Sequence, residues 1–208
     1  MLLGLGTGST AYHFIVGLRQ LTARGVHLGA VATSQASAEL AQRAGVEILP
    51  DQAPLARRLD LAVDGADEIA PDLSLVKGLG GAMFREKLVA LSAEHFVIIA
   101  DASKLVDRLG VGVVPVEVAP FLWQQTARRL AELGAAWVLR GGDEQPFLTD
   151  NGNLVLDLSF AGGMADPEPM AAALKLVPGV IEHGLFCGLA RAAIVAGEDG
   201  LHILGSLD

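Results

Sequence analysis

Residues 61–100 read LAVDGADEIAPDLSLVKGLGGAMFREKLVALSAEHFVIIA. Both ends of this stretch are short apolar runs of strand length, "LAVD" and "FVIIA", and Ala82 to Glu94 between them carries a helical pattern. A strand, a crossover helix and a second strand make a βαβ unit, whose two strands run parallel. The same alternation continues toward the N-terminus. "LLGLG" reads as strand, Thr10 to Arg24 as helix, "VHLGAVA" as strand, Ala36 to Ala44 as helix and "VEIL" as strand. The repeat predicts an α/β fold, a Rossmann-like, mostly parallel sheet with helices on both faces.

Beyond Val113 the rhythm changes. "VPVEV" is a strand pattern, Phe121 to Leu133 a helix, "AWVLR" and "NLVLDLSF" two strands, Pro167 to Leu176 a helix and "VIEHGLF" a strand. The order βαββαβ is that of a split, ferredoxin-like α+β unit. Residues 114–183 are therefore expected to form an inserted domain, and 1–113 with 184–208 the Rossmann-like domain. The tail "AAIVAGEDGLHILG" is two apolar runs around a Glu-Asp-Gly turn, expected to return to the first domain.

Composition narrows the function. The 24 acids against 15 Lys plus Arg leave a formal net charge of −9, which disfavours nucleic acid and anionic membranes as partners. An anionic ligand must then be held by a local site. The single cysteine, Cys187, excludes an internal disulfide and a Cys-based zinc cluster and suits a reducing compartment, so cytoplasm is expected. The five histidines show no HxxxH or HxH spacing, and no metal is expected. No apolar run approaches the roughly 20 residues of a membrane span, and no leader pattern opens the chain.

Ligands of open parallel sheets bind beyond the carboxyl ends of the strands, so polar residues at those ends carry the weight. After the first strand stands "GLGTGST", Gly4 to Thr10, whose glycines and hydroxyls before a helix suit a phosphate. It lacks the third glycine of a dinucleotide fingerprint and the lysine of a nucleotide P-loop. The competing reading is a tight turn capped by Ser9 or Thr10. "ATSQAS", Ala32 to Ser37, reads as a capped helix start before it reads as a ligand site. "DGADE" follows the apolar run "LAV", with Asp64 and Asp67 able to share a space and Glu68 turned elsewhere; its place at a strand end favours function over a solvated Asp-Gly turn. Lys77 precedes "GLGGA", whose backbone can approach a small ligand and offer N–H donors to an oxyanion. Glu86 has apolar neighbours at Ala82, Met83, Val89 and Ala90, but Lys87 is equally flanked, so the pattern shows only a largely buried helix in which Arg85, Glu86 and Lys87 need polar partners. "DASK" places Asp101, Ser103 and Lys104 at a fourth strand end. These residues describe a small anion-accepting pocket with several carboxylates and one or two lysines, suited to proton transfer on a phosphorylated polyol.

Taken together, "GLGTGST", "DGADE", "KGLGGA" with "REK", and "ADASK" resemble ribose-5-phosphate isomerase of type A, and the likeness continues through "DNGN", "DP" and "PGVIEHGLF". The resemblance implies interconversion of D-ribose 5-phosphate and D-ribulose 5-phosphate through an enediolate, without a cofactor, in the non-oxidative pentose phosphate pathway. It implies Glu86 as the general base between C2 and C1, with Asp64, Asp67 and Lys77 around the reacting end of the sugar. Substrate contacts are implied for Thr7, Gly8, Ser9 and Thr10, for Gly65 and Ala66, for Gly78, Leu79 and Gly80, and for Lys104. A homodimer or homotetramer is implied as the assembly. A weakly acidic C2 proton needs an electrophile opposite the base, which Lys77 and the N–H groups of Gly78 to Gly81 are expected to supply.

Two departures stand against the family pattern. Leu79 occupies a position where many relatives have glycine, and the chain starts almost at the first strand, where relatives usually have a preceding helix; the second is expected to bear on stability and one edge of the pocket. Two other classes compete. A catalytically silent sugar-phosphate sensor on the same fold would normally bring a DNA-binding helix-turn-helix and a basic surface, and neither pattern occurs. A coenzyme A transferase would use a glutamate as nucleophile, and the surroundings of Glu86 do not resemble one.

Overall fold

The computed structural model of the protein describes residues 1–51 and 55–207. The chain opens with strand β1 (Leu2–Leu5), helices α1 (Ser9–Gly17) and α2 (Arg19–Thr22), strand β2 (Gly29–Ala32), helix α3 (Gln35–Arg43) and strands β3 (Glu47–Ile48) and β4 (Leu61–Asp64). Next come β5 (Glu68–Ile69), β6 (Leu75–Val76), helix α4 (Met83–Ser92), β7 (Phe96–Asp101) and a 3₁₀ turn at Ala102–Lys104. Strand β8 (Val113–Val118), helix α5 (Trp123–Ala131), β9 (Ala136–Leu139), β10 (Leu154–Ser159), helix α6 (Glu168–Lys175) and β11 (Val180–His183) follow. Strands β12 (Leu185–Phe186), β13 (Ala192–Gly197) and β14 (Gly200–Gly205) complete it.

These elements form two compact units: Met1–Ala66, Arg85–Ser103 and Leu189–Asp208 in the first, Asp67–Phe84 and Lys104–Gly188 in the second. The second unit thus takes in 67–84, 104–113 and 184–188 besides the segment 114–183.

The first unit is built on a seven-stranded sheet ordered β14-β13-β7-β4-β1-β2-β3. Every neighbouring pair is parallel except the final hairpin β13–β14, which pairs Ala192 with Gly205 through Gly197 with Gly200. Side chains alternate along β1, and so do its partners. Leu3 and Leu5 pack with Ile15 of α1 and Ala41 of α3 on one face. Gly4 points to the other, where an added Cβ would lie 2.4 Å from Val89 Cγ1 of α4 and 2.8 Å from the Ala62 Cβ. Helices therefore cover both faces, and the absence of a side chain at Gly4 lets α4 lie close against β1. At the start of β1 the Leu2 N–H donates to Asp60 Oδ2 at 2.7 Å. The Arg57 guanidinium and that N–H together hold the Asp60 carboxyl at about 2.

The single helix expected over Thr10 to Arg24 is broken into α1 and α2 at Gly17 and Leu18. Glycine is a poor helix former, and the Leu18 N–H is shared between the carbonyls of Phe14 and Ile15, at 3.2 Å each.

The second unit holds a four-stranded antiparallel sheet ordered β11-β8-β10-β9. With β8, β9, β10 and β11 taken as its first to fourth strands, the order is 4-1-3-2, the split arrangement anticipated from βαββαβ. Val114, Val116 and Val118 of β8 and Leu154, Leu156 and Leu158 of β10 meet Ala127 and Leu130 of α5 and Leu174 of α6 in one core. The opposite face carries Glu117 across from the buried Val155, and Asp157 across from Pro115. Glu117, fully buried, receives Thr149 Oγ1 at 2.9 Å, Asn151 Nδ2 at 3.0 Å and Asn153 Nδ2 at 2.8 Å, all on its Oε1 atom. The turn that reads Asp150-Asn151-Gly152-Asn153 is tied to β8 in this way.

A second, three-stranded sheet, β12-β6-β5, belongs to the same unit. Strands β5 and β6 have two residues each, too few for any periodicity to reveal them. The segment "VIEHGLF", expected as one strand, divides at Gly184, where the chain leaves β8 and moves onto β6. The Gly184 N–H donates to the Pro115 carbonyl at 2.7 Å and its carbonyl accepts the Lys77 N–H at 2.9 Å. A Cβ at Gly184 would stand 2.2 Å from the Lys77 carbonyl oxygen, so no larger residue fits the crossing.

Candidate active site

The first unit assembles its polar residues at the carboxyl ends of β1, β2 and β4. Asp64 closes β4 and is 3% exposed; its Oδ1 accepts the Thr7 N–H at 3.1 Å and the Gly65 N–H at 2.7 Å. The turn after β1 is therefore folded onto the carboxylate. Gly6 makes this possible, because a Cβ there would fall 2.0 Å from Asp64 Oδ1. Gly6→Ala is expected to displace the carboxylate and its two N–H bonds and lower stability by about 1–3 kcal/mol, the usual cost of overpacking. Thermal unfolding of the variant checks this, and an unchanged Tm would show that the turn relaxes freely.

The hydroxyls of the next strand end brace the same turn. Thr7 Oγ1 lies 2.7 Å from Thr33 Oγ1, and Ser37 Oγ donates to the Gly6 carbonyl at 2.7 Å. Ser34 caps α3, accepting the Ser37 N–H at 3.2 Å. "ATSQAS" is thus a capped helix start that also supports the first loop. By contrast, neither Ser9 nor Thr10 caps α1. The residue ahead of the helix is Gly8, at φ +105° and ψ 179°, which has no side chain to cap the helix's first N–H groups. That backbone region is open only to glycine at low cost. The arrangement leaves the α1 N-terminus presented by an exposed glycine and serine, with Thr10 alongside Gly65.

On α4, Glu86 is 4% and Lys87 8% exposed, while Arg85 bonds Asp51 Oδ2 at 2.9 Å. Both charges on the helix's inner side are thus buried. At the end of β7, Asp101 accepts the Ser103 N–H at 2.9 Å and its hydroxyl, closing a local turn ahead of Lys104.

The second unit holds Asp67, Glu68, Lys77 and the glycine loop. Glu68 is turned away from the loop, as the sequence suggested: its two oxygens take the N–H groups of Gly110 and Gly112. Lys77 is 3% exposed and sits at the end of β6 with its ammonium 5.7 Å from the centroid of the buried Phe186 ring. The Leu79 N–H donates to Asp67 Oδ2 at 3.0 Å, and the Gly81 N–H to the Gly78 carbonyl at 2.9 Å. Two of the four N–H groups expected to serve an oxyanion are therefore already donated, one of them to a candidate carboxylate. Gly78 and Gly81 have φ of +103° and +79°, which explains both glycines. Leu79 does not share that conformation, and its half-exposed side chain replaces glycine without backbone strain.

Among the described residues no cluster of His, Cys, Asp or Glu could hold a metal ion, and none of the helices is long and apolar enough to cross a membrane. Sequence reading missed Thr33 and Ser37 as braces of the first loop, and it missed Arg140. This arginine follows β9, donates to the Gly78 and Leu79 carbonyls at 3.1 and 2.9 Å, and lies against Phe147. An arginine directly after a strand and before Gly141-Gly142 was its only signal.

A parallel sheet ending in a braced glycine turn and a buried carboxylate is the arrangement of an α/β protein that takes a small ligand beyond its strand ends. Known proteins narrow this further. The family described as ribose 5-phosphate isomerase A (phosphoriboisomerase A) matches residues 29–200, a range that contains Asp64, Asp67, Lys77, Glu86 and Lys104. A ribose-5-phosphate isomerase A of Gloeobacter violaceus is 48% identical over 208 residues, covering 98% of this chain and 88% of its own. The ribose 5-phosphate isomerase A structure from Methanocaldococcus jannaschii superposes with a TM-score of 0.91 at 34% identity, over 99% of this chain and 91% of its own. A D-ribose-5-phosphate isomerase in complex with phospho-erythronic acid does so with a TM-score of 0.92 at 38% identity, over 99% and 91%. The chain belongs to the ribose 5-phosphate isomerase A family.

Proposed function

We propose that the chain interconverts D-ribose 5-phosphate and D-ribulose 5-phosphate through an enediolate, with Glu86 as the base. The observation that carries this reading is the burial of the Glu86 carboxylate on α4 in a chain of this family. Glu86 takes the proton from C2, the electrons pass to the C1 carbonyl oxygen, and the same carboxylate returns the proton to C1 as C2 becomes the carbonyl carbon. Carbon gains and loses one proton each way, so no redox partner enters. Lys77 stabilises the charge that gathers on oxygen, and Asp64 and Asp67 handle ring opening and hydroxyl protons. With the N–H groups of Leu79 and Gly81 already donated, the ammonium of Lys77 carries most of that charge. The uncapped start of α1, with Thr7, Gly8, Ser9 and Thr10, suits the phosphate, as does Lys104. Gly65, Ala66, Gly78, Leu79 and Gly80 are proposed as backbone contacts to the sugar. A relative's complex with phospho-erythronic acid, a phosphorylated sugar acid, is in keeping with these roles. Assembly as a homodimer or homotetramer and a cytoplasmic setting are proposed on the family likeness alone.

Ketose formation from D-ribose 5-phosphate by the purified chain in the presence of a chelator tests the reading. Turnover that survives chelation is expected. Binding of the sugar phosphate without turnover would instead make the chain a silent sugar-phosphate-binding module.

A further inference from the structure

The second unit contains one cation whose hydrogen bonds all converge on the glycine loop and its support. Arg140 donates through Nη1 to the carbonyls of Gly78 (3.1 Å) and Leu79 (2.9 Å). Its Nε donates to Asp157 Oδ2 at 2.9 Å, and Nη2 to Asp157 Oδ1, a bidentate pair on the face of the four-stranded sheet that also carries Glu117. Both side chains are more than four-fifths covered, at 16% and 19% exposure. The fork is thus fixed on one side by a strand, and both bonds of its Nη1 go to the loop.

The peptide between Gly78 and Leu79 is engaged at both ends. Its carbonyl accepts from Arg140, and its N–H donates to Asp67 Oδ2 at 3.0 Å. A continuous chain of charge-assisted hydrogen bonds therefore runs from Asp157 through Arg140 and one peptide group to Asp67. Lys77 is the residue immediately before that peptide. Other contacts confine the same loop: a Cβ at Gly78 would meet Met83 at 2.9 Å, and one at Gly81 would meet the Phe147 ring at 2.5 Å. Those contacts set where the loop can go, whereas the guanidinium sets the orientation of its peptide planes. We propose that Arg140 is a positioning residue for this reaction, orienting the Gly78–Leu79 peptide so that Asp67 and Lys77 hold their working geometry.

The inference rests on the isomerase reading for its kinetic consequence and on the loop geometry for its structural one, and the experiment separates them. Arg140→Ala and Asp157→Asn are compared with the parent in steady-state isomerisation and in amide hydrogen exchange of residues 77–81. In the variants kcat is expected to fall about 10–100-fold, in the range a small misplacement of reacting groups costs, with KM changed by less than about threefold. Added guanidinium is expected to restore part of kcat to Arg140→Ala and none to Asp157→Asn. The Leu79 amide is expected to exchange at least about tenfold faster. Should Arg140→Ala not fold, Arg140→Lys, which keeps the charge but loses the fork, is expected to show the same loss of kcat. Unchanged exchange at Leu79, or a fall in Tm with kcat intact, overturns the positioning role. A parent without turnover overturns the isomerase reading, and the exchange data then decide the loop claim by themselves.

Discussion

Glu86→Gln is expected to fold normally and to lose about 10³-fold in kcat, within the 10²–10⁴-fold that a general base supplies. The carboxamide has the shape and volume of the carboxylate, so a side chain only 4% exposed keeps its packing on α4. What it cannot do is accept the C2 proton. KM for D-ribose 5-phosphate should change little, because the base contacts carbon and contributes mainly at the transition state. Steady-state kinetics beside a melting curve decide the matter. A folded variant that turns over at near-parent rates would remove Glu86 from the chemistry and move attention to Asp64 and Asp67.

Lys77→Met should produce the second largest loss, about 10²–10³-fold in kcat, comparable to removing a principal oxyanion donor. Methionine reproduces the length of the stem and, like the ammonium it replaces, packs favourably against Phe186. The strand position survives too, since the bond from the Lys77 N–H to the Gly184 carbonyl belongs to the backbone. A loss confined to kcat, with the Tm held or raised, is therefore the signature of electrostatic work. If kcat stays within about fivefold, the charge on oxygen is being met elsewhere, and the N–H groups of Gly78 and Gly80 become the groups to test.

Much of this architecture was legible before any coordinates. The alternation of "LLGLG", "LAVD" and "FVIIA" with helical segments is a direct consequence of burying strands on both faces, and β1, β4 and β7 lie where those runs stand. The order βαββαβ was readable for the same reason, since Val114, Val116 and Val118 alternate across one sheet face. Short elements were not readable. A two-residue strand such as β5 or β6 has no period, and the division of "VIEHGLF" at Gly184 depends on a partner strand more than a hundred residues earlier in the chain. Site residues followed the same rule. Asp64 and Lys77 stand out as charges beside glycines, and Glu86, which shares its apolar flanks with Lys87, is singled out only by the family likeness, whereas Arg140 and Ser37 act through backbone carbonyls far away in sequence. Nothing local marks such a residue.

The carboxylate of Glu117 has a consequence for how the second unit is made. A hairpin ordinarily starts from its own turn, because the closing residues are neighbours and little chain entropy is lost. Here the turn joining β9 to β10 sends Thr149, Asn151 and Asn153 to an acceptor 32, 34 and 36 residues back along the chain. Thr149 Oγ1 also accepts the Asn151 and Asn153 N–H groups, so the turn closes its backbone locally and reaches β8 with its side chains. The side chains of the turn thus make non-local bonds, and those three bonds to Glu117 tie the register of β8 against β10 to the sequence of the turn.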